Sequence, residues 1–379
     1  MPDAADRPET AGDPLSSRAR LARIVARPLV ALPPHSDEVP WPTREWPRGD
    51  PPAGADLEGL LDEAFDDSGP LAQTLAVVVA HGGRVVAERY GGLLEHFDRP
   101  PEPVGPDTPL LSWSMAKSML HAAVGILVGE GRLELHGPAP VPEWSDPHDP
   151  RHAITIEDML EMRDGLDWSE DYVDAGASDV IEMLFGQGQH DMAAFAASRP
   201  ARWRAGEHFA YSSGTTNILA GILRRTVGEA EALGSWLDER IFGPIGARSV
   251  RHTFDTAGTW VGSSFVHATA RDFARFGELY LRDGTWEGRR ILPEGWVDHG
   301  RRPRSVDEED GHLYGAHWWV VGDEWGSFRA AGYEGQTITI TPALDLVLVR
   351  LGKTPEARAD LLEGWRNRVV REVASALGA

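Results

Sequence analysis

No cysteine occurs in the 379-residue chain. That absence excludes disulfides, thiolate-ligated zinc, iron–sulfur clusters and a thiol nucleophile. Lysine is nearly absent too. Of 37 basic residues only Lys117 and Lys353 are lysines, and the rest are arginine. Arginine keeps its proton in any protein, whereas a lysine amine can give one up, so the few lysines mark places where an amine could matter. Long apolar runs are lacking: nothing approaches the roughly 20 residues that span a bilayer. The stretch from Leu21 to Pro34 is broken by Arg23, Arg27 and Pro28 and lacks the apolar centre of a signal peptide. A cytoplasmic location is therefore expected.

A net charge of −22 argues against nucleic acid and anionic membrane as partners. The basic run Arg301, Arg302 and Arg304 is followed at once by Asp307, Glu308, Glu309 and Asp310, which reads as a solvated loop. H-E-x-x-H, the Walker A loop, G-x-G-x-x-G and G-x-S-x-G are all missing, and the 14 histidines show no ligand spacing. No metal and no cofactor are expected.

With 41% hydrophobic and 25% charged residues the chain is of ordinary globular composition. Nine prolines fall in the first 50 residues, so residues 1–54 read as an extended segment that wraps the body or is partly disordered. From 55 to 379 one domain is expected. Thr74–Ala80 and Val85–Tyr90 flank a Gly-Gly turn and read as a hairpin. Met115–Glu130 and Thr216–Val227 carry helical patterns, and about 135–245 is helical and loop-rich. Strand patterns return at Ser249–Phe254, His317–Val321, Phe328–Gly332, Gln336–Thr341 and Leu344–Leu351, before a closing helix from Glu356 to Leu377. The expected fold is α/β (α+β): an antiparallel sheet flanked by helices, with an all-α lobe inserted. Trp318-Trp319 lies in a strand pattern, which sends one ring inward and the other outward.

Ser114-Met-Ala-Lys117 sits where a loop passes into a helix. Residues three apart share a helix face. The helix N-terminus favours an alkoxide, and a buried lysine can take the hydroxyl proton. With 20 serines and two lysines, about 0.1 such pairs would arise by chance. Tyr211-Ser-Ser213 lies before the second helix; a tyrosine near a cationic lysine can have a depressed phenol pKa and shuttle a proton.

These stretches, with Asp164-Gly-Leu-Asp-Trp168 and Ala331-Gly-Tyr-Glu-Gly-Gln336, resemble the serine β-lactamase and DD-peptidase-like superfamily. The likeness falls in its class C-type, carboxylesterase-like branch, close to the 6-aminohexanoate-dimer hydrolases. It implies a β-lactamase/transpeptidase-like fold and a serine hydrolase that cleaves a small amide or ester through an acyl-enzyme. By the same resemblance Ser114 is the nucleophile, Lys117 its base and Tyr211 the proton shuttle. The backbone N–H groups of Ser114 and Tyr333 form the oxyanion hole, and Tyr172, Ser213, Phe265, His267 and Gly332 meet the substrate. The third superfamily motif, K-T-G or H-T-G, stands here as Ala330-Ala331-Gly332. Its missing cation disfavours a β-lactamase or D-amino-acid peptidase and leaves a catalytically idle acyl-compound binding module as another reading. The expected partner is the small-molecule substrate alone, with the chain a monomer or homodimer.

Overall fold

The computed structural model describes residues 21–22, 24–25, 27–95, 100–172, 178–308 and 310–379. Eight strands form the central sheet: β1 (Gln73–His81), β2 (Arg84–Tyr90), β3 (Ser305–Val306), β4 (Leu313–Tyr314), β5 (Trp319–Val320), β6 (Phe328–Gly332), β7 (Gln336–Thr341) and β8 (Leu346–Lys353). Their order is β3-β4-β5-β6-β7-β8-β1-β2, and each pairing is antiparallel. The first hairpin turns through Gly82 and Gly83, whose φ angles of 57° and 73° suit a tight turn of primed type. The first and last strands of the sheet in chain order thus pair, β1 with β8, one strand in from the β2 edge.

Side-chain alternation along β1 explains its unbroken apolar run. Val77 and Val79 face a core shared with helices α1 (Leu57–Ala64) and, at the C-terminus, Ala359–Leu377, through Leu57, Leu61, Trp365 and Val369. Ala76, Val78 and Ala80 face the larger core on the other side. There lie α2 (Ala116–Gly129), α3 (Ser213–Val227) and α4 (Ala270–Leu281), the last packed on β1, β7 and β8; the C-terminal helix is α5. A sheet covered on both faces has no need of polar alternation. The helices Ile156–Leu160, Asp179–Phe185, Met192–Ala197 and Ala230–Leu237 surround α3 in the lobe between α2 and α4.

Three sequence expectations need correction. Of Ser249–Phe254 only Arg251–His252 is strand, pairing with Val266–Ala268 in a small separate sheet. Leu344 ends a 3-10 turn, and Asp345 takes a left-handed φ of 47°, so β8 starts only at Leu346. Arg301 is not part of a solvated loop: it is buried, pairs with Asp298 and donates to the Val30 carbonyl at 2.7 Å. Arg304 likewise reaches Glu161 at 3.5 Å.

The proline-rich segment has few N–H groups for a ladder, and its carbonyls are taken up by side chains of the body. Arg275 donates to Pro42 at 2.6 Å, Arg282 to Pro33 and Pro34 at 3.2 Å each, and Trp46 returns its indole N–H to Arg271 at 3.0 Å. Among the described residues no helix is long and apolar enough to cross a membrane.

Helix α2, which carries the S-x-x-K pair, is buried from Ala116 to Leu127. Its seating depends on one glycine. A Cβ at Gly125 would fall 2.2 Å from the Trp296 indole nitrogen, which donates to the His121 carbonyl at 3.0 Å. Alanine gains up to about 1 kcal/mol of helix propensity, but overpacking a core costs about 1–3 kcal/mol. Gly125→Ala is expected to lower stability in urea unfolding. An unchanged or raised midpoint would show that Trp296 yields freely.

Candidate active site

Ser114 lies in a 3-10 turn, Trp113–Met115, two residues before the start of α2, whose N-cap is Met115. Trp113 holds a left-handed φ of 45°, a strained setting for a bulky residue that costs about 1–3 kcal/mol. Packing stabilises it: the indole meets the Phe265 ring at 5.9 Å and Tyr333 at 5.5 Å, both edge-on. The elbow thus brings Ser114 to the lining of a cavity at the end of β6, with its Oγ bonded to Lys117. Gly332 closes this junction. A Cβ there would lie 2.4 Å from the Ser112 carbonyl and 3.1 Å from the Ser114 nitrogen, so only glycine lets the strand end approach the Ser114 backbone.

Lys117 follows one helical turn later and is 2% exposed. Its ammonium donates three hydrogen bonds, to Ser114 Oγ (3.0 Å), Ser213 Oγ (2.9 Å) and the Ser263 carbonyl (3.1 Å). Burial pulls its pKa down to about 8, against an opposing pull from the charge of Glu170. The Tyr211 ring lies over the same ammonium, 4.8 Å from nitrogen to centroid. Tyr211 also stacks on Trp319 at 5.3 Å. Trp318, its neighbour, is fully buried, so one ring of the pair builds core and the other the rim of the site.

The expected depression of the Tyr211 phenol does not occur. Burial pushes it well up, a hydrogen bond with the Ser114 side chain pulls only partly the other way, and the Glu170 charge adds to the rise. Tyr211 is a neutral phenol: it has a proton to give.

Glu170 is the residue that sequence reading missed. Its carboxylate accepts from the Ser213 backbone N–H (2.8 Å), the Ser213 hydroxyl, the Trp168 indole (2.6 Å) and the Tyr172 hydroxyl (3.1 Å). It sits at the N-terminus of α3, where Ser212 caps Thr215 at 2.9 Å and a negative charge is favoured. A continuous line runs from Ser114 through Lys117 and Ser213 to Glu170. The only signal in the sequence was the position of Glu170, two residues after Trp168 and two before Tyr172.

Tyr172 stacks on Tyr333 at 5.2 Å, and burial and Glu170 hold its phenol well above the usual range. Both tyrosines, with Ser114, Tyr211, Trp319 and Gly332, line a cavity of about 280 Å³. A wider cleft of about 1010 Å³ adjoins it past Tyr172 and Tyr211. At the far wall of the smaller cavity, Glu363 is shared by Arg329 (2.8 Å) and Arg366 (2.7 Å). Phe265 stands behind this rim, against Trp113 and Phe185. His267 lies on the small sheet opposite Leu111 and Arg251, outside the lining of either cavity. Ser213 is buried beneath the site with both its bonds spent on Lys117 and Glu170. Among the described residues no group of three or more histidines and carboxylates is placed to hold a metal.

An elbow serine bonded to a buried lysine, with a phenol and a glycine-ended strand beside it, is equipped for acyl transfer. The family comparison agrees with that geometry, since the Beta-lactamase family model matches residues 68–371. The chain belongs to the beta-lactamase family. It is a hydrolase of that fold. It is 30% identical over 351 residues to the 6-aminohexanoate-dimer hydrolase of Paenarthrobacter ureafaciens, covering 86% of this chain and 82% of the relative. A putative 6-aminohexanoate-dimer hydrolase from Bacillus anthracis superposes with a TM-score of 0.70 at 22% identity, covering 96% of this chain and 95% of the other. A family VIII carboxylesterase superposes with a TM-score of 0.65 at 16% identity, over 85% and 99% of the two chains.

The position of Glu170 has a measurable consequence. Its charge raises the Lys117 pKa, so neutralising it lets Lys117 lose its proton at lower pH. For Glu170→Gln the acid limb of the kcat/KM profile is expected to move to lower pH than in the wild type, where it should fall near 8. An unmoved limb, with the variant folded, would remove Glu170 from the electrostatics of the base.

Proposed function

We propose that the chain hydrolyses a small amide or ester through an acyl-enzyme on Ser114. One observation carries this reading: the Lys117 amine stands 3.0 Å from Ser114 Oγ in a buried site where its pKa is about 8. A neutral Lys117 takes the hydroxyl proton as Ser114 Oγ attacks the substrate carbonyl carbon. The oxyanion then gathers hydrogen bonds from the backbone N–H groups of Ser114 and Tyr333, which Gly332 allows to approach each other. Collapse of the tetrahedral intermediate breaks the bond to the leaving amine or alcohol. The neutral Tyr211 phenol, hydrogen-bonded to the Ser114 side chain, protonates that group, and the proton taken up by Lys117 returns to it by way of Ser114 Oγ, which both side chains reach. Water, deprotonated by the same pair, attacks the acyl carbonyl; the bond to Ser114 Oγ breaks, Lys117 returns the proton to that oxygen, and the acid leaves.

The substrate class rests on two supports. The relative of 30% identity is named a 6-aminohexanoate-dimer hydrolase, and position 330, where the superfamily carries its third-motif cation, is a buried alanine facing the core. Linear amides and short esters fit better than β-lactams.

A fluorophosphonate probe located by mass spectrometry should label Ser114 and no other serine. Turnover of a p-nitrophenyl ester without a Ser114 adduct would overturn the assignment. Nitrocefin turnover should be no faster than that of Ser114→Ala. Arginine cannot act as a base, so Lys117→Arg is expected to lower ester turnover by about 10²–10⁴-fold. Lys353→Arg should be nearly silent, because Lys353 is 40% exposed at the end of β8 and its ion partner Glu95 lies 3.7 Å away. Equal activities of the two variants would remove Lys117 from the mechanism.

A further inference from the structure

Behind Tyr333, three successive carbonyls of the turn into β7 are each held by a buried side chain or strand. Gln336, 5% exposed, donates from Nε2 to the Tyr333 carbonyl at 3.0 Å and to the Gly352 carbonyl at 2.5 Å, while its Oε1 accepts the Gly352 N–H at 2.9 Å. All three of those bonds are bonds to backbone. Arg350, fully buried, donates from Nη1 to the Glu334 carbonyl at 3.1 Å and to Gly335 at 3.4 Å. The Thr354 N–H meets Glu334 from the other side at 3.0 Å. The second guanidinium nitrogen reaches Leu71, Gln73, Thr74 and Thr354, so the turn is tied to the sheet at β1 and β8. Among the described residues no carboxylate pairs with Arg350.

A buried cation whose hydrogen bonds all go to carbonyls and hydroxyls, with Glu334 the carboxylate whose charge favours it, is a costly arrangement. The turn itself is strained: Glu334 is a non-glycine residue with φ of 58°. Strain of this kind persists where surroundings over-determine it. The peptide that follows Tyr333 is the one whose carbonyl Gln336 grips, and the peptide before it carries the N–H that the acyl-enzyme reading assigns to the oxyanion.

We propose that Gln336 and Arg350 are positioning residues that lock the three peptide planes following Tyr333, and through them the aim of its N–H at the oxyanion. The proposal rests on the acyl-enzyme reading above, in which that N–H stabilises the tetrahedral intermediate. A donor contributes fully to catalysis only when fixed before charge develops; a turn free to rock by a few tenths of an ångström would lose part of that stabilisation. Gln336 supplies the grip on Tyr333, and Arg350 holds the next two carbonyls on the same side.

The test uses the full chain and two substitutions. Gln336→Met keeps most of the volume and frees the Tyr333 carbonyl. Its kcat/KM for p-nitrophenyl acetate is expected to fall about 10–100-fold, and the affinity for phenylboronic acid, which forms a tetrahedral adduct on serine, by a similar factor. A merely structural role would lower the melting temperature and leave boronate affinity unmoved in the folded fraction. Gln336→Glu gives a second readout if the methionine variant does not fold. Protonated, its acid can donate to the Tyr333 carbonyl; ionised, it can only repel it. Its kcat/KM relative to wild type should therefore rise as pH falls from 9 to 6. Unchanged boronate affinity in folded Gln336→Met, or a flat ratio for Gln336→Glu, overturns the proposal. Wild-type labelling of Ser114 by fluorophosphonate keeps the two questions apart: its absence refutes the acyl-enzyme reading, whereas labelled wild type with indifferent Gln336 variants refutes the clamp alone.

Discussion

Everything in the site is arranged around one buried amine. Lys117 is out of water, and an ammonium in that position is costly unless its protons are all received. Ser114, Ser213 and the Ser263 carbonyl receive them. Those three acceptors come from three separate parts of the chain, so the amine fixes the elbow, the start of α3 and the loop before the small sheet relative to one another. The same burial that demands partners also brings the pKa to about 8, near enough to neutrality for the proton to leave. Structural demand and chemical use are therefore met by one desolvation.

Glu170 sets the balance. Without a carboxylate nearby, burial alone would favour a neutral lysine strongly; with one in direct contact, the ammonium would be held too firmly to act as a base. Ser213 stands between the two, bonded to both. Its hydroxyl passes the interaction on at one remove. Glu170 also receives the Tyr172 hydroxyl and the Trp168 indole, so the charge that tunes the base orders one wall of the substrate cavity.

How much of this the sequence disclosed depended on distance along the chain. The Ser114–Lys117 pair is local, and helical spacing alone places it. The hairpin β1–β2 was legible for the same reason, from period and a Gly-Gly turn. Register shifts were not: β8 starts two residues later than the apolar pattern because Pro342 begins a turn and Asp345 turns left-handed, a matter of backbone geometry. Glu170 is one of 59 acidic residues, and nothing but the fold brings it to Ser213, 43 positions on. The direction of the Tyr211 shift was misread because the sequence shows that a cation is near but not that water is excluded. Desolvation favours the neutral phenol, and the lysine faces the ring rather than the hydroxyl.

The scarcity of lysine acquires a physical sense when the arginines are placed beside it. Arg275, Arg282, Arg301 and Arg350 are all buried, and they hold carbonyls of the proline-rich segment or of the turn after Tyr333. A planar fork with several donors and a permanent charge suits such work, because a cross-link that lost its proton would lose its bonds. Fixity is what those positions require. At 117, on the acyl-enzyme reading, it would be fatal, since the amine there takes the Ser114 proton and gives it up again within each half-reaction. Burial depresses Arg350 as well, to about 9, yet its nitrogens face carbonyls and threonine hydroxyls, with no nucleophile to serve. The two kinds of buried cation in this protein differ less in how far water is excluded than in what stands opposite them: the arginines face carbonyls, whereas the lysine also faces the elbow hydroxyl of Ser114 at 3.0 Å.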